Sequence, residues 1–160
     1  RELFDKGPEA DAYAINRIVY FENQWVRHGD WFPDWNTRLF KADTWSMYPR
    51  AVHESLEIRG NTEKLSKLIE HHTYRSWADQ QNRSEKYARL WAEEHHGKKN
   101  AGPLSGSLRA LYRFIKGYFL KRGFLDGALG FNIAKANAKE VLLKYRYLRE
   151  MERQEANKSK

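Results

Sequence analysis

One carboxylate in this sequence stands where an apolar side chain would be expected. Alternation over residues 51–58 predicts a β-strand, and Glu54 falls on the same face as three apolar residues, Val52, Leu56 and Ile58. Burying a carboxylate on such a face is costly, and desolvation raises its pKa toward the range of a general base. Glu54 is therefore either ion-paired at the sheet edge, which the pattern alone favours, or a catalytic base.

Histidines offer a second kind of chemistry. His53 lies on the opposite face of the same strand, and His71 and His72 are adjacent, so their side chains point in different directions. None of them has metal-ligand spacing on its own, but imidazole accepts many divalent ions and a carboxylate elsewhere could complete a site. His71 is a candidate ligand, and a surface histidine is the commoner alternative.

The loop over residues 29–38 combines aromatic, acidic and basic side chains. Trp31 and Trp35 suit stacking against the apolar face of a sugar ring. Asp30, Asp34 and Arg38 are suited to hydrogen-bonding sugar hydroxyls. An equally weighted alternative is a tryptophan-lined loop that only packs over the sheet.

The positive charge is concentrated in one window. Formal net charge is +8, and residues 98–122 contain seven Lys or Arg and no Asp or Glu. Within residues 107–122 a helical period places apolar side chains on one side and Arg109, Arg113 and Lys116 on the other. The partner of such a window is an anionic surface, which is phospholipid headgroups, a phosphorylated lipid or nucleic acid. A helix in a membrane interface fits the pattern, and a cap helix that buries its apolar side on the domain is the alternative.

Length and composition narrow the class of protein. The chain has 160 residues, 41% of them hydrophobic and 14% aromatic, which is enough for one domain with a core. It contains no cysteine, which excludes disulfides and thiolate metal sites. No apolar run reaches the roughly 20 residues of a transmembrane helix, and no signal peptide is visible. The opening residues, RELFD, do not resemble a translational start, so we expect the C-terminal part of a longer protein.

Strand patterns precede helical patterns along the chain. We predict strands over residues 12–21, 25–28, 37–41 and 52–58, with a turn at 22–23 and a loop over 42–48. Helices are predicted over residues 62–70, 76–96 and 107–122, the last ending at Gly123, and Asp126 is predicted to cap a helix over 127–153. This order indicates an α+β pattern or the tail of a larger α/β domain.

The order of several motifs resembles a known family. WFPDxxxRLF (residues 31–40) is followed by VHE (52–54), HxTYxS (71–76), RFxxxYF (113–119) and GFLDGxxGF (123–131). No single motif is decisive, but the ordered set, with Gly60 and Tyr87-Ala88, spans about residues 12–150. The set is similar to the C-terminal half of bacterial family 2 glycosyltransferases, in the branch related to lipopolysaccharide-core glucosyltransferases.

The resemblance implies an α/β fold, the C-terminal part of a GT-A (nucleotide-diphospho-sugar transferase) fold, and inverting transfer with a divalent cation, Mg²⁺ or Mn²⁺. It divides the chain into acceptor-side strands and loops (residues 1–60), a helical region (61–153) and a polar tail (154–160). Because the chain has no Asp-x-Asp motif, we expect it to begin after that motif and to be inactive alone.

Roles carried over from the resemblance are as follows. Glu54 becomes the general base on the acceptor hydroxyl, and His71, or less favourably His53, lies near the metal or diphosphate. The acceptor is shaped by Trp31, Asp34 and Arg38, while Arg109, Arg113 and Lys116 face the membrane. The implied partners are a nucleotide-sugar donor, a glycan or lipid-linked acceptor and an anionic membrane, with the protein peripheral on the cytoplasmic face of the bacterial inner membrane.

Two non-catalytic functions compete with this interpretation. A basic module that binds RNA or DNA would use the same cations, but they alternate with large apolar residues and no nucleic-acid motif is present, so nucleic acid is disfavoured. A membrane-binding module without chemistry would bind anionic vesicles equally well after Glu54→Gln.

Overall fold

The structure, a computed structural model, describes residues 2–5, 7–48, 55–99, 101–102 and 104–158. Its strands are β1 (Ala12–Phe21), β2 (Gln24–Val26), β3 (Asp34–Phe40), β4 (Trp45–Tyr48), β5 (Ser55–Ile58) and β6 (Thr62–Tyr74). Its helices are α1 (Glu2–Asp5), α2 (Trp77–His95), α3 (Ser105–Ile115) and α4 (Gly127–Lys158). A π-helical turn (Lys116–Leu120) and a 3-10 turn (Gly123–Asp126) connect α3 to α4.

β1 is the central strand of the main sheet. β6 pairs with it in parallel along its whole length, while β3 and β2 divide its other edge between them, both antiparallel. β1 and β2 are joined by a two-residue turn in which Glu22 and Asn23 adopt left-handed φ values of 46° and 65°. Positive φ at both turn residues matches the twist of the flanking strands, so this hairpin forms from local sequence.

β4 and β5 form a separate two-stranded antiparallel sheet. The prediction of a loop over residues 42–48 is therefore wrong in its second half, because Trp45–Tyr48 is a strand. β5 confirms the C-terminal part of the strand predicted over 52–58. Residues 52–54, which include His53 and Glu54, lie outside the described residues.

The helix predicted over residues 62–70 is wrong, since these residues belong to β6. Leu65, Leu68 and Ile69 have helical spacing, but the thirteen-residue strand pairs with β1 instead. Leu68 and Ile69 each remain 44% exposed, so neither face of β6 shows the alternation of a half-buried strand. Within the described residues only β1 pairs with β6.

α4 is the element on which the helices and the sheet meet. Its first half packs Leu129 and Ile133 against Val19, Phe21 and Val26 of the sheet. Its second half packs against α2 and residue 101 through a cluster of small and aromatic side chains: Ala88, Ala92, Ala101, Tyr145, Tyr147 and Leu148. α3 packs along the same helix. The result is mixed α and β structure with open sheets, in which, after the short α1, the strands precede the helices, as the sequence predicts.

Two helix boundaries differ from prediction. The helix predicted over residues 107–122 ends in the π-helical turn, and Arg122, with φ 58°, adopts the left-handed conformation before Gly123. α4 continues to Lys158, beyond the predicted end at residue 153. No helix in the described ranges has the length and apolarity needed to span a bilayer.

Candidate functional site

The segment from α3 to the 3-10 turn turns its large apolar side chains toward solvent. The buried residues of α3 and the π-helical turn are Gly106, Ala110 and Gly117, which lie on the opposite side from the leucines in the helical period. Gly123 is the buried residue of the 3-10 turn. The expectation that a cap helix buries its apolar side is therefore not met. The exposed residues, which we call the apolar surface, are Leu104, Leu108, Leu111, Tyr112, Ile115, Phe119, Leu120, Phe124 and Leu125, each at least 40% exposed.

Basic side chains border the apolar surface. The Arg109 guanidinium lies 5.7 Å from the Tyr145 ring centroid, and Lys116 Nζ lies 6.0 Å from that of Tyr112. Arg113 and Lys121 both pair with one carboxylate, that of Asp30. Of the three predicted membrane-facing cations on this segment, Lys116 thus lies beside a ring of the apolar surface, whereas Arg109 lies beside Tyr145 of α4 and Arg113 pairs with Asp30.

Asp30 is the buried anchor of this segment. Only 1% of its side chain is exposed, and its oxygens lie 3.2 Å from Arg113 Nε and 3.0 Å from Lys121 Nζ. Asn137 Nδ2 donates to the same carboxylate at 3.3 Å, and the Gly29 amide donates to the Lys121 carbonyl at 2.9 Å. These contacts join the loop after β2 to the π-helical turn and to α4, so they hold the apolar surface in place.

Close backbone approach in the GFLDGxxGF motif needs glycine. A Cβ on Gly130 would overlap the Gly123 carbonyl oxygen, and one on Gly123 would meet the Gly117 carbonyl oxygen at 2.7 Å. Asp126, predicted to cap α4, instead accepts hydrogen bonds from the backbone amides of Arg27 and His28 at 2.9 and 2.8 Å. The motif therefore works as a structural joint between the helices and the loop after β2.

The three residues predicted to shape the acceptor occupy different environments. Trp31 packs against the rings of Phe21 and Tyr74, with centroids 6.1 and 5.0 Å away, and its indole N–H donates to Asn137 Oδ1 at 3.3 Å. Asp34 forms an ion pair with Arg17, whose Nη2 lies 2.6 Å from the Asp34 carboxylate. Arg38 is exposed on β3. The packing alternative thus describes Trp31, while acceptor binding by Asp34 and Arg38 stays a prediction.

His71 lies near Asp34 and Arg38 even though it is on another strand. It was expected at a turn between helices, but it is in β6, where it pairs with Val19 of β1. Burial lowers the pKa of its imidazole, and the positive charges of Arg17 and Arg38 lower it further. The Asp34 carboxylate acts on this pKa in the opposite direction, and the role of His71 near a metal or diphosphate stays a prediction.

An open cleft of about 690 Å³ separates β6 from α2, with part of α4 in its wall. Arg17 and His71 line the sheet side, and Arg83, Trp91 and Glu94 line the α2 side. The α4 side is lined by Lys144 and Glu140, which form an ion pair at 2.6 Å. The volume of the cleft falls within the range of small-molecule sites. Sequence reasoning did not find this cleft, because its residues come from four separate elements.

Catalytic and metal roles remain predictions. Glu54 and His53 lie outside the described residues. Among the residues that the structure describes, no three His, Asp or Glu side chains are grouped as metal ligands. No ligand for the Mg²⁺ or Mn²⁺ implied by the resemblance is therefore assigned here.

Comparison with known proteins gives no family for this chain. No protein-family model matches it, and no solved structure matches it. Its function is therefore argued from its own residues.

Proposed function

We propose that this chain is the acceptor-side part of an inverting glycosyltransferase that works at an anionic membrane surface. The observation that carries the proposal is the outward-facing apolar surface, which lies on the basic segment and has Lys116 beside Tyr112. The ordered motifs of the sequence support the chemistry, and the mixed α and β structure agrees with a GT-A half-domain without identifying it. In this proposal the protein is peripheral on the cytoplasmic face of the bacterial inner membrane.

The apolar surface suits the boundary between headgroups and acyl chains. Leu108 is 64% exposed and Leu111 is 57% exposed. Moving about half of a leucine side chain from water into lipid gains roughly 1 kcal/mol. Each nearby Lys or Arg adds about 1 kcal/mol at an anionic leaflet. Several leucines and cations together supply enough free energy for reversible binding without a spanning helix.

Nucleic acid fits the same surface less well. Phosphate contacts would use Arg109 and Lys116, but they would leave Leu108, Leu111 and Leu120 in water. Exposed apolar patches of this kind mark protein or membrane contacts. If the chain bound RNA or DNA strongly and did not bind vesicles, the proposal of a membrane partner would be rejected.

Transfer itself is assigned to Glu54. As general base it would take the proton of the acceptor hydroxyl while that oxygen attacks the anomeric carbon of the nucleotide sugar. The bond from that carbon to the diphosphate breaks, and the nucleoside diphosphate leaves with the electron pair. The attack from the opposite side inverts the anomeric configuration. A divalent metal, where bound, supplies charge stabilisation to the leaving diphosphate.

The test combines vesicle flotation with a transfer assay on the enzyme that contains this chain. Flotation should require anionic lipid and should weaken after Arg109→Gln with Lys116→Gln, while Lys86→Gln on α2 serves as the control. Glu54→Gln should abolish transfer and leave flotation unchanged, and Glu57→Gln, three positions further along the chain, controls for charge. Full turnover of Glu54→Gln would remove Glu54 from the mechanism, and flotation on neutral lipid alone would reject the cationic contribution.

A further inference from the structure

His28 and Asp126 form a hydrogen-bonded pair at the border of the apolar surface. His28 Nδ1 lies 2.8 Å from Asp126 Oδ1. The other oxygen of this carboxylate accepts the backbone amides of Arg27 and His28 at 2.9 and 2.8 Å. Because an ionised carboxylate only accepts hydrogen bonds, the proton of the bond to His28 is on Nδ1. Asp126 therefore fixes both the orientation and the tautomer of the imidazole.

The second nitrogen of this ring is open to solvent. The Asp126 side chain is 5% exposed, whereas that of His28 is 34% exposed. Among the described residues His28 Nε2 has no hydrogen-bond partner, and it is not buried. A ring that is held through Nδ1 loses little freedom when Nε2 contacts a ligand, so His28 is preorganised for binding.

The loop that carries His28 runs along the edge of the apolar surface. The Gly29 amide donates to the Lys121 carbonyl at 2.9 Å, and Asp126 is the last residue of the 3-10 turn. The side chains that directly precede these two contact points are between 46% and 69% exposed: Phe119, Leu120, Phe124 and Leu125. His28 thus lies where the apolar surface ends, which is the level of the headgroups when such a surface enters a membrane.

The acidic groups in contact with this loop are already matched. The buried Asp30 carboxylate pairs with both Arg113 and Lys121. Asp126 accepts three hydrogen bonds, one from the His28 ring and two from backbone amides. Neither carboxylate therefore leaves an unmatched negative charge that would repel an anion.

Two arginines beside the loop have no carboxylate partner among the described residues. The Arg27 guanidinium lies 4.4 Å from the Trp25 ring centroid and keeps its N–H donors for another acceptor. Arg122 directly precedes Gly123, and a Cβ added to Gly29 would lie 3.6 Å from the Gly123 Cα. Both arginines thus belong to backbone that is adjacent to His28, and the local excess of charge is positive.

We infer that His28 binds the phosphate group of a lipid. In its protonated form the ring donates from Nδ1 to Asp126 and from Nε2 to a phosphate oxygen, and Arg27 and Arg122 supply further positive charge. The acyl chains of the same lipid lie on the apolar surface. The setting of this lipid in a membrane rests on the proposed function, but binding of a single lipid molecule does not.

Binding is measured on the full chain by NMR, following the ring nitrogens of His28. Three probes separate the possible sources of an anion: dihexanoyl phosphatidylglycerol below its micelle concentration, inorganic phosphate, and hexanoate, which has the same acyl chain without phosphate. The short-chain lipid should bind about tenfold or more tightly than either of the other two. At saturation the resonance of His28 Nε2 should shift more than that of any other histidine nitrogen.

Matched variants separate His28 from general surface charge. His28→Gln should weaken binding of the short-chain lipid about tenfold, while His72→Gln, at an exposed position of β6, should not. Arg122→Gln should weaken it about threefold or more, while Arg153→Gln, at an exposed position near the end of α4, should not. Urea midpoints verify that each variant is folded. If His28→Gln unfolds, the arginine pair and the wild-type Nε2 shift decide the result.

Four outcomes would overturn the inference. Equal affinities for inorganic phosphate and the short-chain lipid would indicate a site for soluble phosphate, and equal affinities for hexanoate and the lipid would indicate that phosphate is not recognised. The other two are an unchanged His28 Nε2 resonance at saturation and equal effects of His28→Gln and His72→Gln. Any of these leaves vesicle flotation and transfer untouched. Failure of flotation with a positive titration rejects the membrane and leaves the lipid phosphate site.

Discussion

Replacing Asp30 by asparagine tests how the apolar surface is held. The carboxylate is 1% exposed and contacts Arg113 Nε at 3.2 Å and Lys121 Nζ at 3.0 Å. Asparagine keeps nearly the same shape but removes the charge. Asn137, which now donates to one carboxylate oxygen, also loses a charged acceptor.

The expected loss lies between the values for surface and buried ion pairs. Breaking a fully buried pair costs about 3–5 kcal/mol, whereas an exposed pair contributes about 0–1 kcal/mol. Arg113 and Lys121 are 40% and 44% exposed, so both can turn to water after the substitution. We therefore expect Asp30→Asn to lower the free energy of unfolding by about 2–3 kcal/mol. For a chain of this length the melting temperature should fall by about 5–10 °C.

Urea unfolding followed by circular dichroism measures this loss. Asp43→Asn, in an exposed loop, is the matched control and should change stability by less than about 0.5 kcal/mol. A double-mutant cycle with Lys121→Met should give a coupling of about 0.5 kcal/mol or more. If Asp30→Asn lowers the free energy of unfolding no more than Asp43→Asn does, Asp30 is not the anchor of the π-helical turn.

Three further predictions concern packing and protonation. Gly130→Ala should lower the free energy of unfolding by about 3 kcal/mol or more in a urea titration, because its methyl group would overlap the Gly123 carbonyl oxygen. An unchanged urea midpoint would contradict that packing. Ser84→Ala should lower the free energy of unfolding by about 1–3 kcal/mol in the same assay, because the buried Gln80 amide loses its acceptor. A loss no larger than that of an exposed substitution would show that this hydrogen bond is dispensable. Folding lowers the pKa of His71 from 6.5, so its contribution is complete above that pH and is lost as the pH falls below it. Between about pH 7.5 and 5.5 the wild-type chain should lose more stability than His71→Gln, with His72→Gln as control, and equal losses in wild type and His71→Gln would be inconsistent with a lowered pKa.

Local signals in the sequence were sufficient for some elements. β1 was predicted with its observed bounds, because its run of β-branched and aromatic residues ends at a two-residue turn. The start of α2 was predicted to within one residue, and there the Ser76 hydroxyl accepts the Asp79 amide at 3.2 Å. Both depend on interactions within a few residues of the chain.

The elements that were predicted wrongly are those whose structure depends on long-range contacts. β6 has helical spacing of its leucines, but parallel pairing with β1 places it in the sheet. The direction of the α3 apolar surface depends on Gly106, Ala110 and Gly117, whose small size permits close packing on α4. That signal was present in the sequence, where burial of the large side chains was the alternative to a helix in a membrane interface. The sequence around Asp30 does not indicate its partners, because residues 113, 121 and 137 are far from it along the chain.

The depth of the apolar surface in a membrane is the most direct test of the account. Because the chain has no cysteine, Leu108→Cys and Leu111→Cys each provide one thiol for a nitroxide label, with Leu68→Cys on β6 as an exposed control. Electron paramagnetic resonance on anionic vesicles compares collisions of each label with oxygen, which concentrates in lipid, and with a water-soluble nickel complex. We expect the labels at 108 and 111 to become protected from nickel and accessible to oxygen, while the label at 68 stays in water. Labels at 108 and 111 that remain as open to nickel as the label at 68 would contradict it.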